Sequence, residues 1–331
     1  MKPINVGVIG VGHLGALHAK MLAQIDGVHL IGVQDDDDAK TRRVAEDLGV
    51  QPFARYEDLL QQVDALTIAT NTPSHSEIAR TALQRGKHVF IEKPITETVR
   101  EAEELCSLAG KSRLCLQVGH IERFNPALLA LERYEIRPLF VESHRLSQFN
   151  PRGSDVAVVL DLMIHDIDVI LSLVRSPVKQ VEANGVAVVS DSVDIANARL
   201  QFENGCVANV TASRISQRRM RKMRLFQPSS YISVDFSEGL AEVFRLVDED
   251  EPEVEGTMML GRLDAGSRKR KIVYEQPEVK EKNALLHEME LFVDAIRSGT
   301  PPLVSGEDGR RALEVASVIM EKISQQQQIF R

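Results

Sequence analysis

Apolar and polar positions follow two different rhythms along this chain, and the change falls near residue 119. Before it, short apolar runs alternate with stretches whose apolar residues recur at helical spacing. The run over 6–9 feeds the turn Gly10-Val11-Gly12-His13-Leu14-Gly15, and residues 16–25 read as a helix. A second strand over 28–34 ends on Asp35. Residues 63–69 read as a buried strand followed by a helix over 74–84; 87–91 as a strand followed by a helix over 97–109; and 114–118 as one more strand. Strands alternating with helices of about ten residues predict a parallel sheet with right-handed crossovers. The expected first domain is therefore a doubly wound α/β sheet over 1–120. Beyond it, one long helix over 155–174 stands among strand-like runs at 139–147, 178–189, 195–202, 206–213 and 231–236. Turns such as Glu203-Asn204-Gly205 join them as hairpins. Two helices, 284–297 and 306–323, follow, separated by Gly299-Thr300-Pro301-Pro302. This predicts an α+β domain over 121–331 with a mostly antiparallel open sheet, its terminal helices free to pack back on the first domain.

The G-x-G-x-x-G turn lies between a strand and a helix, and Asp35 comes twenty residues after Gly15. That context is what a dinucleotide site needs. The glycines permit a tight turn, close approach of backbone to a pyrophosphate, and close helix–strand contact. The diphosphate would sit at the helix N-terminus, where unpaired N–H groups and the helix dipole favour negative charge. Asp35 suits the adenosine ribose diol and so favours NAD over NADP; Asp36, Asp37 and Asp38 reinforce this, and Arg42 and Arg43 oppose it. Ligands of such sheets bind beyond the carboxyl ends of the strands. Residues 10–15, Asp35, 70–73, 92–94 and 119–120 are thus expected in one crevice.

Composition acts mainly by exclusion. A chain of 331 residues is too long for one compact core. Its net charge of −8 argues against nucleic acid as a partner. No apolar run approaches a membrane span, and the chain enters a strand at once, so neither a membrane segment nor a signal peptide is expected. Cys106, Cys115 and Cys206 lack metal spacing and read as reduced, buried thiols of a cytoplasmic protein.

Two places carry candidate chemistry. Lys93 ends a strand at the expected crevice and precedes Pro94, which keeps a helix from starting there. Its ammonium can reach a substrate hydroxyl, or simply cap the strand in solvent. On the helix over 155–174, residues 160, 163, 164, 167, 170, 171 and 174 make an apolar stripe, while Asp161, His165 and Asp168 share a neighbouring one. A histidine titrates near neutrality and can act as a base tuned by a carboxylate. An ion pair at the edge of the core is the alternative. Asp161 and His165 have no third ligand partner, so no metal is expected. A cationic run, Arg214, Arg218, Arg219, Arg221, Lys222 and Arg224, holds no acidic residue. It suits phosphate oxygens, an acidic neighbouring subunit, or solvent. Arg123 and Arg152 lie nearer the expected crevice, and the run over 268–271 reads as a surface hairpin.

Taken in order and spacing, these motifs resemble one family from end to end. They are the 10–15 fingerprint, Ala69-Thr70-Asn71-Thr72-Pro73-Ser74-His75, Glu92-Lys93-Pro94, Asp161-Leu162-Met163-Ile164-His165-Asp166-Ile167-Asp168, and Phe292-Val293-Asp294-Ala295-Ile296-Arg297-Ser298-Gly299-Thr300-Pro301. The chain resembles the Gfo/Idh/MocA oxidoreductases. The resemblance implies a Rossmann domain, NAD as cofactor, and a second domain whose open sheet joins copies into a homodimer or homotetramer. It implies Lys93, Asp161 and His165 as the catalytic set. Around NAD it implies Gly10, Gly12, His13, Leu14, Gly15 and Asp35, with Thr70, Asn71, Thr72, His75, Glu92 and Lys93. Around substrate it implies Arg123, Asn125 and Arg152 beside the catalytic three. Hydride transfer from a secondary alcohol needs a base for the hydroxyl proton and a cation for the developing alkoxide, which His165 and Lys93 would supply. Gly119-His120-Ile121-Glu122-Arg123-Phe124-Asn125-Pro126, together with 161–168, looks like the branch acting on nucleotide sugars. The implied reaction is oxidation of the C3 hydroxyl of UDP-N-acetylglucosamine to a 3-keto sugar, on the way to 3-amino sugars of lipid A. Alternatives are UDP-N-acetylglucosaminuronate or a free polyol such as inositol as substrate. A non-catalytic NAD-binding regulator is a further alternative, but it would be expected to lack Lys93 or His165.

Overall fold

The computed structural model describes residues 3–150, 156–252, 255–265 and 268–329. The chain divides into two compact units: Met1–Ile121 with Asn283–Glu314, and Glu122–Lys282 with Val315–Arg331.

In the first unit the order is β1 (Ile4–Ile9), α1 (His13–Leu22), β2 (Val28–Gln34), α2 (Asp38–Leu48), β3 (Gln51–Pro52), α3 (Tyr56–Leu60), β4 (Ala65–Ile68), α4 (Thr72–Gln84), β5 (His88–Glu92), α5 (Val99–Ser112) and β6 (Leu116–Gly119). The six strands are all parallel, in the order β3-β2-β1-β4-β5-β6. Chain order reverses between β1 and β4, the switch point where doubly wound sheets bind ligands. Val6, Val8, Ile68, Val89 and Ile91 are wholly buried, as central strands covered on both faces must be. The expected α/β class is present, with some boundaries moved. Helix α1 begins at His13 rather than at residue 16, because Gly12 takes the N-cap position inside the glycine turn itself. The pattern also left α2, β3 and α3 unassigned. Helix α2 buries only Thr41, Val44 and Ala45, so its apolar stripe is thin; Asp37 starts it by accepting from Ala39 and Lys40 N–H, and Gly49 ends it at φ 66°.

In the second unit come α6 (Pro126–Leu129), β7 (Phe140–Leu146), a π-helical turn (Val159–Met163), α7 (Ile164–Val174), β8 (Val178–Val186), β9 (Ile195–Phe202), β10 (Val207–Ser213), β11 (Met220–Gln227), β12 (Ser230–Asp235), β13 (Leu240–Asp248), β14 (Thr257–Ala265) and β15 (Arg268–Glu275). They form a nine-stranded sheet ordered β14-β15-β13-β12-β11-β7-β10-β9-β8, antiparallel except for the β7–β10 pair. Helix α7 packs on β7 and β10 through its apolar stripe. The expected single helix over 155–174 is corrected here: a π turn precedes the α-helix, and residues 151–155 lie outside the described residues. The cationic run from 220 on is strand β11, and the expected hairpin at 268–271 is present: β15 begins at Arg268 and pairs antiparallel with β14, Ala265 opposite Arg268. The chain ends with α8 (Ala284–Ser298) and α9 (Gly306–Ile329). Leu285, Met289, Phe292 and Val293 of α8 join the core of the first unit beside Val6, Val8 and Leu22.

Candidate active site

The glycine turn shows which constraint each glycine meets. Gly10 sits at φ 80°, and a Cβ there would stand 2.7 Å from the Ala69 carbonyl. At Gly15 a Cβ would fall 1.7 Å from the Gly10 oxygen. At Gly12 a Cβ would meet no atom within 4 Å, and its φ of −62° is open to any residue. Protein packing therefore asks for glycine at 10 and 15 but not at 12. What Gly12 leaves open is the N-terminus of α1, which no side chain caps. That is the space and charge a dinucleotide diphosphate requires, so these residues fit NAD. His13 and Leu14 are exposed on the first turn. Asp35, at the end of β2, accepts the Val11 N–H at 2.8 Å on one oxygen and the Asp37 N–H at 3.0 Å on the other. It thus fixes the glycine turn while each oxygen keeps a lone pair for a ribose hydroxyl.

The 70–75 segment follows β4. Asn71 is exposed and takes the N-cap position of α4 without bonding it through its side chain; Thr72 is the first helical residue. Half-buried Thr70 turns its carbonyl to the ring of His75. His75 is not at the surface: its Nδ1 lies 3.0 Å from the Pro94 carbonyl and its Nε2 3.0 Å from that of Thr70. Burial pushes its pKa down, offset in part by the two carbonyls. It braces the two loops against each other. Glu92 ends β5, Lys93 follows it, and the Lys93–Pro94 peptide is cis. Lys93 is half-buried. Glu92 turns inward, with Oε1 3.0 Å from Nε2 of fully buried His18 on α1, and Oε2 accepting the Lys93 N–H at 3.2 Å. Sequence reasoning missed His18, whose position inside an apolar helical stripe resembles any core residue.

In the second unit Asp161 lies within the π turn and His165 on the first turn of α7, both half-buried. A π turn is a rare irregularity that concentrates at functional sites. Asp168, placed beside them on the stripe by periodicity, is 1% exposed and gripped by Arg123, whose Nε and Nη2 donate to its two oxygens at 2.7 and 3.0 Å. Those donors of Arg123 are engaged in a structural ion pair. Next to it Arg145 donates to both oxygens of Asp166, at 2.9 and 3.0 Å, and to Glu122 at 2.8 Å. Burial lowers the Arg145 pKa, but the two carboxylates outweigh it and hold the guanidinium above its ordinary value. Asn125 caps α6 through its oxygen, and its amide donates to Glu122 and to the Phe236 carbonyl. Arg152 lies outside the described residues.

The cationic run is largely partnered within its own sheet. Arg214 is buried against Asp194 at 3.1 Å; Lys222 pairs with Asp235 at 3.0 Å and Arg224 with Glu142 at 3.0 Å, while Arg221 reaches Glu122 at 3.6 Å. Arg218 and Arg219 are exposed. Among the described residues no group of His, Cys, Asp and Glu could hold a metal ion, and no helix is long and apolar enough to cross a membrane. Burial pushes the Cys115 thiol up to about 12 and those of Cys106 and Cys206 up to about 11, so all three are poor nucleophiles.

Residues 4–120 match the family model described as "Oxidoreductase family, NAD-binding Rossmann fold", and residues 138–240 match the "GFO/IDH/MocA C-terminal domain". The chain belongs to the Gfo/Idh/MocA oxidoreductases. As a member it is an NAD-dependent oxidoreductase acting on a CH–OH group. It is 37% identical, over 96% of both chains, to UDP-N-acetylglucosamine 3-dehydrogenase of Acidithiobacillus ferrooxidans. A crystal structure of the protein of that name from the same organism superposes with a TM-score of 0.86 at 35% identity, covering 98% of each chain. Myo-inositol 2-dehydrogenase of Thermotoga maritima is 27% identical, over 94% of this chain and 93% of its own.

Proposed function

We propose that this family member oxidises the C3 hydroxyl of UDP-N-acetylglucosamine to a 3-keto sugar. The observation that carries the reading is the 37% identity, over 96% of both chains, with an enzyme named for that reaction. Bound NAD supplies the hydride acceptor. The glycine turn and Asp35 hold it, with Thr70, Asn71 and Thr72 at the neighbouring strand end. In this reading His165 takes the proton of the C3 hydroxyl as general base. Lys93 donates to the same oxygen and stabilises its developing charge. Asp161 orients the pair and holds an adjacent hydroxyl. Arg152, with exposed Arg218 and Arg219, is the candidate cation set for the diphosphate. The keto product is a substrate for transamination, giving the 3-amino sugar used in lipid A.

The test is NAD reduction with a panel of UDP-N-acetylglucosamine, UDP-N-acetylglucosaminuronate and myo-inositol, with product identified by NMR. Turnover of the first alone is the expected result; turnover of inositol alone overturns the reading in favour of the polyol dehydrogenases. Alanine at Lys93 or His165 is expected to lower kcat about 100-fold or more with NAD affinity preserved.

The reading also includes a second copy of the chain on the outer face of the nine-stranded sheet. A row of rings crosses five strands there: Phe140, Phe226, Tyr231, Phe244 and Tyr274, with successive centroids 5.8, 5.0, 5.3 and 5.0 Å apart. All five are only partly buried within the chain, Phe226 being 36% exposed. An apolar patch of this kind marks a contact surface. Three free cysteines support a reducing compartment, the cytoplasm.

A further inference from the structure

We propose that His18 and Glu92 form a positioning pair that ties the dinucleotide-binding helix to the Lys93 turn and so sets the reach of the Lys93 ammonium. This rests on the reading of Lys93 as the group that meets the substrate hydroxyl.

Three observations converge on the Glu92 carboxylate, and a fourth concerns its histidine. His18 is fully buried on α1, the helix whose open N-terminus fits the diphosphate, and its Nε2 stands 3.0 Å from Glu92 Oε1. The second carboxylate oxygen accepts the backbone N–H of Lys93 at 3.2 Å. On the far side, the neighbouring strand passes so close that a Cβ at Gly119 would lie 2.8 Å from the carboxyl carbon. The imidazole itself is walled in: Phe90 meets it edge-on with centroids 5.4 Å apart, and Phe292 meets Phe90 at 5.7 Å. A carboxylate that is only 8% exposed is costly unless partnered. Here its partners come from two elements with different tasks, the cofactor helix and the lysine turn, and a glycine on a third strand leaves it room. The carboxylate is thereby held between α1, the lysine turn and β6. Its use is to hold the lysine backbone at a fixed distance from α1.

The place of the Lys93 backbone sets the arc over which its ammonium can reach. Displacement of a reacting group by about 1 Å costs up to roughly 100-fold in rate. Loss of the pair should therefore act on turnover and leave cofactor binding in place.

The experiment compares Glu92→Gln, His18→Gln, the double variant and Lys93→Ala in the full-length chain. The readouts are kcat and KM with UDP-N-acetylglucosamine, and NAD affinity by fluorescence titration. The expected result is a fall in kcat of about tenfold or more for each single variant, with NAD affinity in His18→Gln changed less than about threefold. The double variant should be no slower than the slower single one, because either change breaks the same contact. Wild-type kcat in both singles, or effects that multiply in the double, overturns the proposal. Should Glu92→Gln not fold, Glu92→Asp carries the same comparison, since it keeps the charge but shortens the reach. Lys93→Ala separates the two levels. If it retains near-normal turnover, the reading of Lys93 falls and the proposal with it. If it is inactive while Glu92→Gln and His18→Gln are unimpaired, only the positioning pair falls.

Discussion

At the scale of single residues, Gly12 and Gly15 make opposite predictions. A methyl group at Gly12 meets open space, while one at Gly15 falls 1.7 Å from a backbone oxygen. Gly12→Ala is expected to cost at most about 1 kcal/mol in stability, the loss of a favourable N-cap residue, yet to weaken NAD binding at least about tenfold by crowding the diphosphate. Gly15→Ala should fail to give folded protein. Calorimetry and NAD titration check both. His75 carries a pH dependence. Burial holds its folded-state pKa below the 6.5 of the free side chain. The unfolded chain therefore binds a proton that the folded one refuses. The contribution of this residue to stability is fully present above pH 6.5 and is lost as pH falls below it. Thermal unfolding followed from pH 7.5 downward should show Tm falling below about 6.5, with a shallower fall in His75→Gln. The glycine turn and Asp35 were legible in the sequence because each is defined by local spacing. The inward turn of His75 and Glu92 was not, because periodicity says nothing of the Pro94 and Thr70 carbonyls around His75 or of His18 on α1 beside Glu92.

At the scale of elements, helix α7 is held by two arginines from outside it. Arg145 binds Asp166 and Glu122, and Arg123 binds Asp168. Periodicity grouped Asp168 with Asp161 and His165, and could not show that Asp168 faces an arginine 45 residues away. Replacing Arg145 by Met would strip buried Asp166 of its bidentate partner and Glu122 of its nearest cation, and denaturant unfolding should show a loss of about 3–5 kcal/mol. Strand β11 shows why part of the second unit was hard to read. Its sequence, Met-Arg-Lys-Met-Arg-Leu-Phe-Gln, does alternate, with Met223 and Leu225 inward. The outward positions carry so much positive charge that they resemble a ligand site. Their counter-charges, Glu142 and Asp235, come from the flanking strands β7 and β12.

At the scale of the whole molecule, the ring row across five strands can be legible only after folding, since Phe140 and Tyr274 stand far apart in the chain. If a second copy covers it, Phe226→Glu should shift the mass measured by light scattering toward the monomer while the chain stays folded. The first unit has its own whole-molecule property. Its core borrows Leu285, Met289, Phe292 and Val293 from a segment that follows residues 122–282 of the second unit in the sequence. Each such side chain contributes about 1.5–3 kcal/mol when buried. During synthesis, the first 121 residues leave the ribosome as a sheet lacking one of its covering layers. The part of the protein made earliest is thus completed only after residues 122–282 have been made, when α8 arrives to close its core.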